Sequence, residues 1–327
     1  EIRSDMKWLG LNYDIEVRQS SRINRYEEVK NKLISMGRLY PCYETQEELD
    51  IKRKILLSQG KPPIYDRSAL KLTKEEIEKY QKIGRKPHYR FKILDEKITF
   101  IDHIKSEVHF EGKNLSDPIV IRENGTMTYL ITSVVDDIDM GVTHIVRGED
   151  HVTNTAIQIQ IFKLLTDKIP EFAHLALLKG MDEKISKRVG GFEIASLRKE
   201  GFEPMTILSV LSRLGSSKPI EARMTLDELK DSFELEDFGR SASTYSEEEL
   251  KRINHKIISH YSYNHVKPRL DELNIQINEQ FFEVIKPNLF KIKDIKDWWE
   301  ILEKYDTQLA TNIDMELINT ALDLLPT

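Results

Sequence analysis

The chain has 327 residues, a formal net charge of −6, 39% hydrophobic residues and 32% charged residues. This length allows two or three domains with sizeable cores, and the composition is ordinary for a soluble globular protein. The single cysteine, Cys42, excludes an internal disulfide framework and a zinc site built from cysteines. The acidic balance excludes a uniformly basic nucleic-acid binder, and no apolar run is long enough to span a membrane. We expect a protein of a reducing, cytoplasmic compartment.

The first residues predict the middle of an amphipathic helix that ends at Gly10. Because the chain starts with neither methionine nor a signal-peptide pattern, we expect it to be a fragment. Apolar residues at helical spacing predict a helix over 24–36, closed by Gly37. Further helices are predicted over 46–58 and 73–82.

From His88 the apolar residues recur at every second position, which predicts strands. Short strands are predicted over 88–93, 98–101, 107–110 and 118–122. The pair Asn124-Gly125 is typical of a two-residue turn, so we expect a hairpin that joins 119–121 to 127–131.

After a helix from Ser133, the order of buried strand (143–146), loop (147–151) and helix (from 153) predicts half of a parallel α/β unit. A second apolar run, 172–178, leads into a basic loop at Lys184. Because ligands bind at the carboxyl ends of parallel strands, we expect both polar clusters to face one pocket. Beyond Gly190 the pattern is helical, with helices predicted over 204–214, 225–233 and 246–258.

The basic loop has the sequence Lys184-Ile-Ser-Lys-Arg188. The ammonium groups of Lys184 and Lys187 can both reach a triphosphate, and Ser186 adds a hydroxyl donor between them. A short run of charged residues is by itself more often a solvent-exposed surface segment. The position of this run after an α/β unit nevertheless favours ATP binding.

The end of the predicted strand at Arg147 holds a second set of candidate ligand-binding residues. Arg147 fits either an internally paired side chain or a bidentate clamp on a substrate carboxylate. The Tyr129 side chain either packs in the core or adds its hydroxyl to the same pocket. His151 is a candidate to stack on a nucleotide or to form a hydrogen bond with it. We interpret His144 as structural. Three nearby carboxylates are interpreted as solvated or capping groups rather than metal ligands: Asp136, Asp137 and Asp139.

Two basic groups are candidates for contacts with RNA phosphates. They are Arg85, Lys86, His88, Arg90 and Lys92 in the strand-rich block, and Lys286, Lys291, Lys293 and Lys296 before Trp298-Trp299. A charged edge strand and a helical core tryptophan pair explain them equally well.

The segment 134–151, followed by Leu177-Leu-Lys and by the Lys184 loop, closely resembles bacterial glutamyl-tRNA synthetases, which are class I enzymes. Four further matches occur in the same order along the chain: Trp8-Leu-Gly-Leu-Asn-Tyr, Gln19-Ser-Ser-Arg22, Tyr40-Pro-Cys-Tyr43 and Ile119-Val-Ile-Arg122. The resemblance covers essentially the whole chain and is highly specific.

This resemblance implies an α/β Rossmann-type class I synthetase catalytic domain with an α+β insertion, followed by all-α stem-contact and anticodon-binding domains. The implied boundaries are 1–17 for the end of the first catalytic half, 18–122 for the acceptor-stem-binding insertion, 123–190 for the second catalytic half, 191–262 for the stem-contact domain and 263–327 for the start of the anticodon-binding domain.

The resemblance also implies roles for single residues. Lys184 and Lys187 would be catalytic, and Tyr129 and Arg147 would hold glutamate. The ATP-binding set would be Glu149, His151, Leu178, Lys184, Ser186 and Lys187, and the tRNA-binding set Arg188, Arg90 and Lys293. ATP with Mg²⁺ would activate glutamate, which then passes to tRNA(Glu). Charging of tRNA(Gln) stays open, and we expect a monomer that does not bind membranes.

The chain departs from the family pattern in three ways. The His-Ile-Gly-His-type ATP motif and the later anticodon region are absent, so we expect this chain to lack full activity. Some relatives carry a cysteine-rich zinc site in the insertion, but Cys42 is followed by Glu44 and no cysteine lies near Tyr65. We therefore expect magnesium and no zinc.

Three alternatives remain. A glutaminyl-tRNA synthetase is disfavoured because Arg147 and the Lys184 loop resemble the glutamate branch more closely. A tRNA-modifying paralogue should end soon after the Lys184 loop, whereas this chain continues with helices. The third alternative is a catalytically dead RNA-binding fragment.

Overall fold

The computed structural model describes residues 1–180 and 193–304, so the Lys184 loop lies outside the described residues. The helices are α1 (Ile2–Leu9), α2 (Ile23–Ser35), α3 (Gln46–Ser58), α4 (Lys74–Lys82), α5 (Tyr129–Asp139), α6 (Val152–Leu165), α7 (Ile194–Glu200), α8 (Pro204–Leu211), α9 (Leu226–Lys230), α10 (Glu247–Ser259), α11 (Tyr263–Glu272), α12 (Glu279–Ile285) and α13 (Ile295–Lys304). The strands are β1 (Leu39–Cys42), β2 (His88–Phe91), β3 (Lys97–Asp102), β4 (Ser106–Glu111), β5 (Ile119–Ile121), β6 (His144–Gly148), β7 (Glu171–Leu175), β8 (Leu178–Gly180) and β9 (Ser243–Tyr245).

The chain divides into two compact units. The first unit consists of Glu1–Asn12, Leu178–Phe233 and the chain from Thr244 onward, and the second of Tyr13–Leu177 and Glu234–Ser243. The five domain boundaries inferred from the sequence stay a prediction. Within the described ranges, no helix combines the length and the apolar character needed to cross a bilayer.

The larger sheet of the second unit has the strand order β4-β3-β7-β6. β3 and β4 form an antiparallel hairpin, whereas β7 runs parallel to both β3 and β6. The predicted parallel α/β unit is therefore confirmed. One expectation was wrong: the strand after Thr143 is not buried, because β6 has only one strand neighbour in the described sheet, and Val146 is 48% exposed.

The smaller sheet of the second unit has the order β1-β2-β5, with antiparallel pairing throughout. β2 is its central strand, so the reading of this segment as a charged edge strand was wrong. His88 and Arg90 are buried there together with Phe91, which corrects the simple alternation expected over 88–93. The carboxylate of Asp117 accepts bonds from the Arg67 guanidinium and from other groups around it, which satisfies its buried charge.

The hairpin predicted at Asn124-Gly125 was half right. Gly125 has a φ of 82° and the turn closes through a bond from Arg122 N to Thr126 O. The second strand, however, amounts to one bridge between Ile121 and Met127. Helix α5 begins at Tyr129, since the buried residues that follow recur at helical rather than alternating spacing: Leu130, Ile131, Val134 and Val135.

Most helices of the sequence analysis are confirmed within two or three residues. α1 ends at Gly10, whose φ of 73° is the left-handed conformation that glycine tolerates. α3 begins with a capping box made by Thr45 and Glu48. In the first unit, α8 and α10 pack around a core that includes Ile207 and Ile253, and α11 to α13 surround a second core.

A buried hydrogen bond joins β3 to β7. The Oδ2 atom of Asp102 lies 2.5 Å from Nδ1 of His174, and both side chains are fully buried. Burial alone would raise the pKa of Asp102, but hydrogen bonds from His174 and from the backbone N–H groups of Ile104 and Lys105 outweigh it and lower the pKa to about 2.

This lowered pKa predicts a pH-dependent contribution to stability. A carboxylate whose pKa falls on folding stabilises the protein above its unfolded pKa and loses that effect as the pH falls through the folded value. We therefore expect Asp102 to contribute about 2 kcal/mol at pH 5, a contribution that disappears between about pH 4 and pH 2. Urea unfolding of the wild type and of Asp102→Asn across this range should show the two free energies of unfolding converging at low pH. A constant difference would contradict the assignment.

Gly112 predicts a sharp steric effect. A Cβ atom at Gly112 would lie 1.9 Å from the backbone oxygen of Leu94. We expect Gly112→Ala to lower the free energy of unfolding by about 3 kcal/mol or more, because backbone atoms must move. The matched control is Gly125→Ala, which meets nothing within 4 Å and carries only left-handed strain of about 1 kcal/mol. Equal melting temperatures for the two variants would refute this packing.

Candidate functional site

The carboxyl ends of β6 and β7 lie side by side. The parallel register pairs Arg147 with His174 and Gly148 with Leu175. Both strands therefore deliver the residues that follow them to the same edge of the sheet, as expected from the sequence. The Lys184 loop with Ser186, Lys187 and Arg188 lies outside the described residues, so the prediction that it faces this edge stays a prediction.

Arg147 is half-buried at this edge, and neutral side chains hold its guanidinium. Its Nη2 donates to Thr155 Oγ1 at 2.5 Å and to Gln158 Oε1 at 2.7 Å, and its Nε donates to His174 Nε2 at 3.4 Å. Burial lowers the pKa of Arg147, since water no longer solvates the charge fully. Among the described residues, no carboxylate lies within ion-pair distance of it, and the charges of Asp137 and Asp150 only partly oppose this lowering of the pKa.

His174 orients Arg147 and was missed by the sequence analysis. Because Nε of arginine can only donate, Nε2 of His174 must accept, and the proton of the imidazole then lies on Nδ1 toward Asp102. Thr155 also lies 2.8 Å from Nε2. The only signals in the sequence were a histidine inside an apolar run and two polar residues on a helix, and neither is distinctive.

Tyr129 and His151 lie in direct contact. The Tyr129 hydroxyl is 2.9 Å from Nδ1 of His151, and the rings meet edge to face at 5.4 Å between centroids. Tyr129 is the first residue of α5 and not a strand residue as the sequence suggested. Burial raises its pKa, and the charge of Arg147 opposes that rise. The helix start and the loop after β6 thus bring the predicted glutamate-binding and ATP-binding side chains together.

Glu149 also lies beside this strand edge. Its Oε2 accepts from Lys105 Nζ at 2.6 Å, and its Oε1 accepts from the backbone N–H of Leu177 at 3.4 Å. The carboxylate is therefore fixed beside the backbone of Leu177, two residues after the end of β7. Leu178, the last member of the predicted ATP-binding set in the described residues, begins β8 and is 46% exposed.

The three aspartates of α5 are not the solvated groups expected from the sequence. Asp136 and Asp139 form ion pairs with Arg22 on the preceding segment at 2.7 Å and 2.5 Å, and Asp139 also binds Arg25. Their spacing of three residues puts them on one helix face. Asp137 faces elsewhere, and burial raises its pKa to about 6. The aspartates therefore fasten α5 to α2.

The predicted tRNA-binding residues have different environments. Arg90 is 8% exposed, donates to the backbone oxygen of Asp117 at 2.6 Å and lies 4.0 Å above the ring of Tyr65. Such burial makes a direct phosphate contact by Arg90 unfavourable in this conformation. Lys293 is exposed in a short turn before α13.

A buried cluster of three potential metal ligands lies in the segment for which we expected no zinc site. Pairing of β1 with β2 sets Cys42 opposite His88, and a thiol, a carboxylate and an imidazole donor from Cys42, Glu44 and His88 lie within 4.8 Å of one another. Glu44 Oε2 and His88 Nε2 are buried without a hydrogen-bond partner. The expectation of no zinc rested on the lack of a second cysteine and did not consider His88 as a metal ligand. The absence of zinc stays a prediction.

Comparison with known proteins gives a consistent result. Residues 1–252 match the sequence model of the family described as tRNA synthetases class I (E and Q), catalytic domain. Glutamate–tRNA ligase 1 of Rickettsia bellii (strain OSU 85-389) is 53% identical over 327 residues, which cover 99% of this chain and 74% of that protein. Glutamate–tRNA ligase 1 of Rickettsia prowazekii (strain Madrid E) is 51% identical over 328 residues, covering 100% of this chain and 73% of that protein.

The fold agrees with these relatives. The crystal structure of glutamate-tRNA synthetase from Elizabethkingia anophelis matches with a TM-score of 0.80 at 22% identity, over 99% of this chain and 76% of that one. The expected class I catalytic domain, with Rossmann-like sheets and helices, is thus confirmed. Since the family's sequence model spans most of the chain and these relatives are identical to it at about half of the aligned positions, the chain belongs to the class I tRNA synthetases and, among them, to the glutamate–tRNA ligase family.

Proposed function

We propose that this protein activates glutamate with ATP and transfers it to the 3′-terminal adenosine of tRNA(Glu). The observation that carries this proposal is Arg147, a half-buried cation at the carboxyl end of β6 with no carboxylate partner among the described residues. A cation fixed by neutral groups in a poorly solvated place is arranged to receive an anion.

The contacts of Arg147 indicate which atom meets the substrate. Nε and Nη2 are occupied by His174, Thr155 and Gln158, whereas Nη1 has no hydrogen-bond partner among the described side chains and backbone groups. Nη1 therefore offers its hydrogens to a glutamate carboxylate oxygen. The Tyr129 hydroxyl is the proposed second polar contact, and its 2.9 Å distance to His151 supports a position where glutamate and nucleotide would adjoin.

The proposed reaction has two steps. In the first, an oxygen of the glutamate α-carboxylate attacks the α-phosphorus of ATP, the bond to the β-phosphate breaks and pyrophosphate leaves. In the second, a hydroxyl of the terminal ribose attacks the glutamyl carbonyl carbon, the bond to the phosphate breaks and AMP leaves. Lys184, Ser186 and Lys187 are assigned to the triphosphate because ammonium and hydroxyl groups offset its growing negative charge.

The remaining assignments rest on the family. Glu149, His151 and Leu178 are assigned to the adenosine of ATP, and Mg²⁺ is expected to bind with the triphosphate. Segment 18–122 would bind the acceptor stem, 191–262 would contact the tRNA stem, and 263–327 would begin the anticodon-binding domain. Arg188, Arg90 and Lys293 are proposed tRNA contacts, with Arg90 requiring a rearrangement to expose its guanidinium. We expect a cytoplasmic monomer.

Aminoacylation assays test the function directly. The intact protein would be offered labelled glutamate or glutamine with purified tRNA(Glu) and tRNA(Gln) separately. We expect glutamate on tRNA(Glu), and glutamate on tRNA(Gln) would mark a second accepted tRNA. Glutamine on tRNA(Gln) would assign the protein to the glutamine branch, and no charging in any combination would leave a role in RNA binding alone.

Arg147 variants test the substrate contact. We expect Arg147→Ala and Arg147→Lys each to lower kcat/KM for glutamate on the order of 100-fold, because a lysine cannot reproduce the planar fork that Thr155, Gln158 and His174 hold. KM for ATP should change far less. A glutamate KM that stays at the wild-type value in both variants would remove Arg147 from the amino acid site.

Lys187 tests the phosphate loop. We expect Lys187→Ala to reduce kcat by roughly 100- to 1000-fold, the usual cost of removing one group that stabilises transition-state charge. Lys168→Ala, an exposed lysine with no assigned role, is the matched control and should retain wild-type kcat. Equal rates in the two variants would show that Lys187 does not act in the activation step.

A further inference from the structure

A cluster of imidazole and carboxylate groups occupies the edge of the larger sheet opposite Arg147. His144 and Glu171 are the first residues of β6 and β7, and the parallel register pairs them directly. His103 follows the last residue of β3, and its backbone N–H donates to Phe172 O at 2.9 Å. Three strands thus deliver three side chains to one place, and nothing in the proposed reaction uses them.

The distances within this cluster resemble those between ligands of one metal ion. Glu171 Oε2 lies 2.6 Å from His103 Nε2 and 3.7 Å from His144 Nε2, and the three donor atoms all lie within 4.8 Å of one another. A tetrahedral ion with bonds of about 2.0–2.1 Å needs ligand atoms about 3.3 Å apart. Small side-chain adjustments are sufficient to reach that spacing.

The other ring nitrogens are already engaged. His103 Nδ1 lies 2.9 Å from Glu236 Oε1, and His144 Nδ1 lies 3.0 Å from Thr143 Oγ1. Histidines that bind metals usually use one nitrogen for the ion and the other for a hydrogen bond to a carboxylate or similar group, which fixes the ring. Here both rings direct Nε2 toward Glu171, with Glu236 and Thr143 behind them.

We propose that His103, His144 and Glu171 form a binding site for one divalent cation of the zinc type, with water as the fourth ligand. Two imidazoles and one carboxylate are a donor set that Zn²⁺ accepts. The side chains of His103, His144 and Glu171 are 27%, 52% and 60% exposed, so the ion reaches them directly from solvent. This proposal departs from the sequence-based expectation, which considered only cysteine-containing sites.

The position of the site indicates a structural role. It lies at the amino ends of β6 and β7, whereas Arg147 lies near the carboxyl end of β6, so the ion does not touch the proposed substrates. It joins the turn after β3 to both strands, and through Glu236 it holds the segment Glu234–Ser243. Exposed ion pairs alone stabilise weakly, whereas an ion bound only by the folded state adds stability that grows with the logarithm of the ratio of ion concentration to Kd.

Zinc titration of the whole protein tests the proposal. All variants would carry Cys42→Ser, which removes the thiol of the separate buried cluster. Zn²⁺ affinity would be measured by competition with a chromogenic chelator in this background, and with His144→Ala or Glu171→Gln added. We expect one equivalent of Zn²⁺ in the background, and affinity lower by about 100-fold or more in each added variant, since even outer partners of a ligand contribute 10- to 100-fold.

The matched control is His109→Ala, which removes an exposed histidine of β4 that is outside the cluster. It should bind Zn²⁺ as the background does, and only the background and this control should gain melting temperature when Zn²⁺ is added. His144 is exposed, so its removal leaves the fold intact, as equal melting temperatures without metal would show. Equal zinc affinity in His144→Ala and His109→Ala, or less than one equivalent in the background, would overturn the site.

Discussion

The parallel register between β6 and β7 is the constraint on which the candidate site depends. It pairs Arg147 with His174, and His174 in turn lies against Asp102 at the end of β3. Three neighbouring strands therefore contribute one chain of contacts, from a buried carboxylate through an imidazole to a guanidinium. A slip of β7 by one residue would turn His174 to the opposite face of the sheet and separate it from both Arg147 and Asp102.

The same chain of contacts keeps the buried carboxylate apart from the cation that is proposed to bind the substrate. Asp102 is fully buried, and hydrogen bonds from His174 and backbone N–H groups, rather than from Arg147, stabilise its charge. Arg147 is bound by neutral oxygens and an imidazole nitrogen, and no described carboxylate lies within ion-pair distance of it. Because a carboxylate in direct contact would weaken the attraction for an incoming anion, this separation of charges suits the proposed glutamate contact.

Helix α5 links this edge to the rest of the second unit. Its first residue, Tyr129, contacts His151, and its last turn is fastened to α2 by Asp136, Asp139 and Arg22. The carboxylates interpreted from the sequence as solvated or capping groups are anchors instead. The imidazole–carboxylate cluster at the opposite edge comes from residues 103, 144 and 171, which no local motif connects.

The sequence alone determined the family, most helices and the parallel α/β unit, because helical periodicity, capping residues and short contiguous motifs are local properties of the chain. It also proposed Arg147, Tyr129 and His151 as site residues because they belong to such motifs, and the structure brings the last two into contact. It did not identify His174, Asp102, His88 or the role of Asp136, and it extended a strand through Tyr129. Those features depend on strand register and on packing between segments far apart in the chain, so only the tertiary structure decided them.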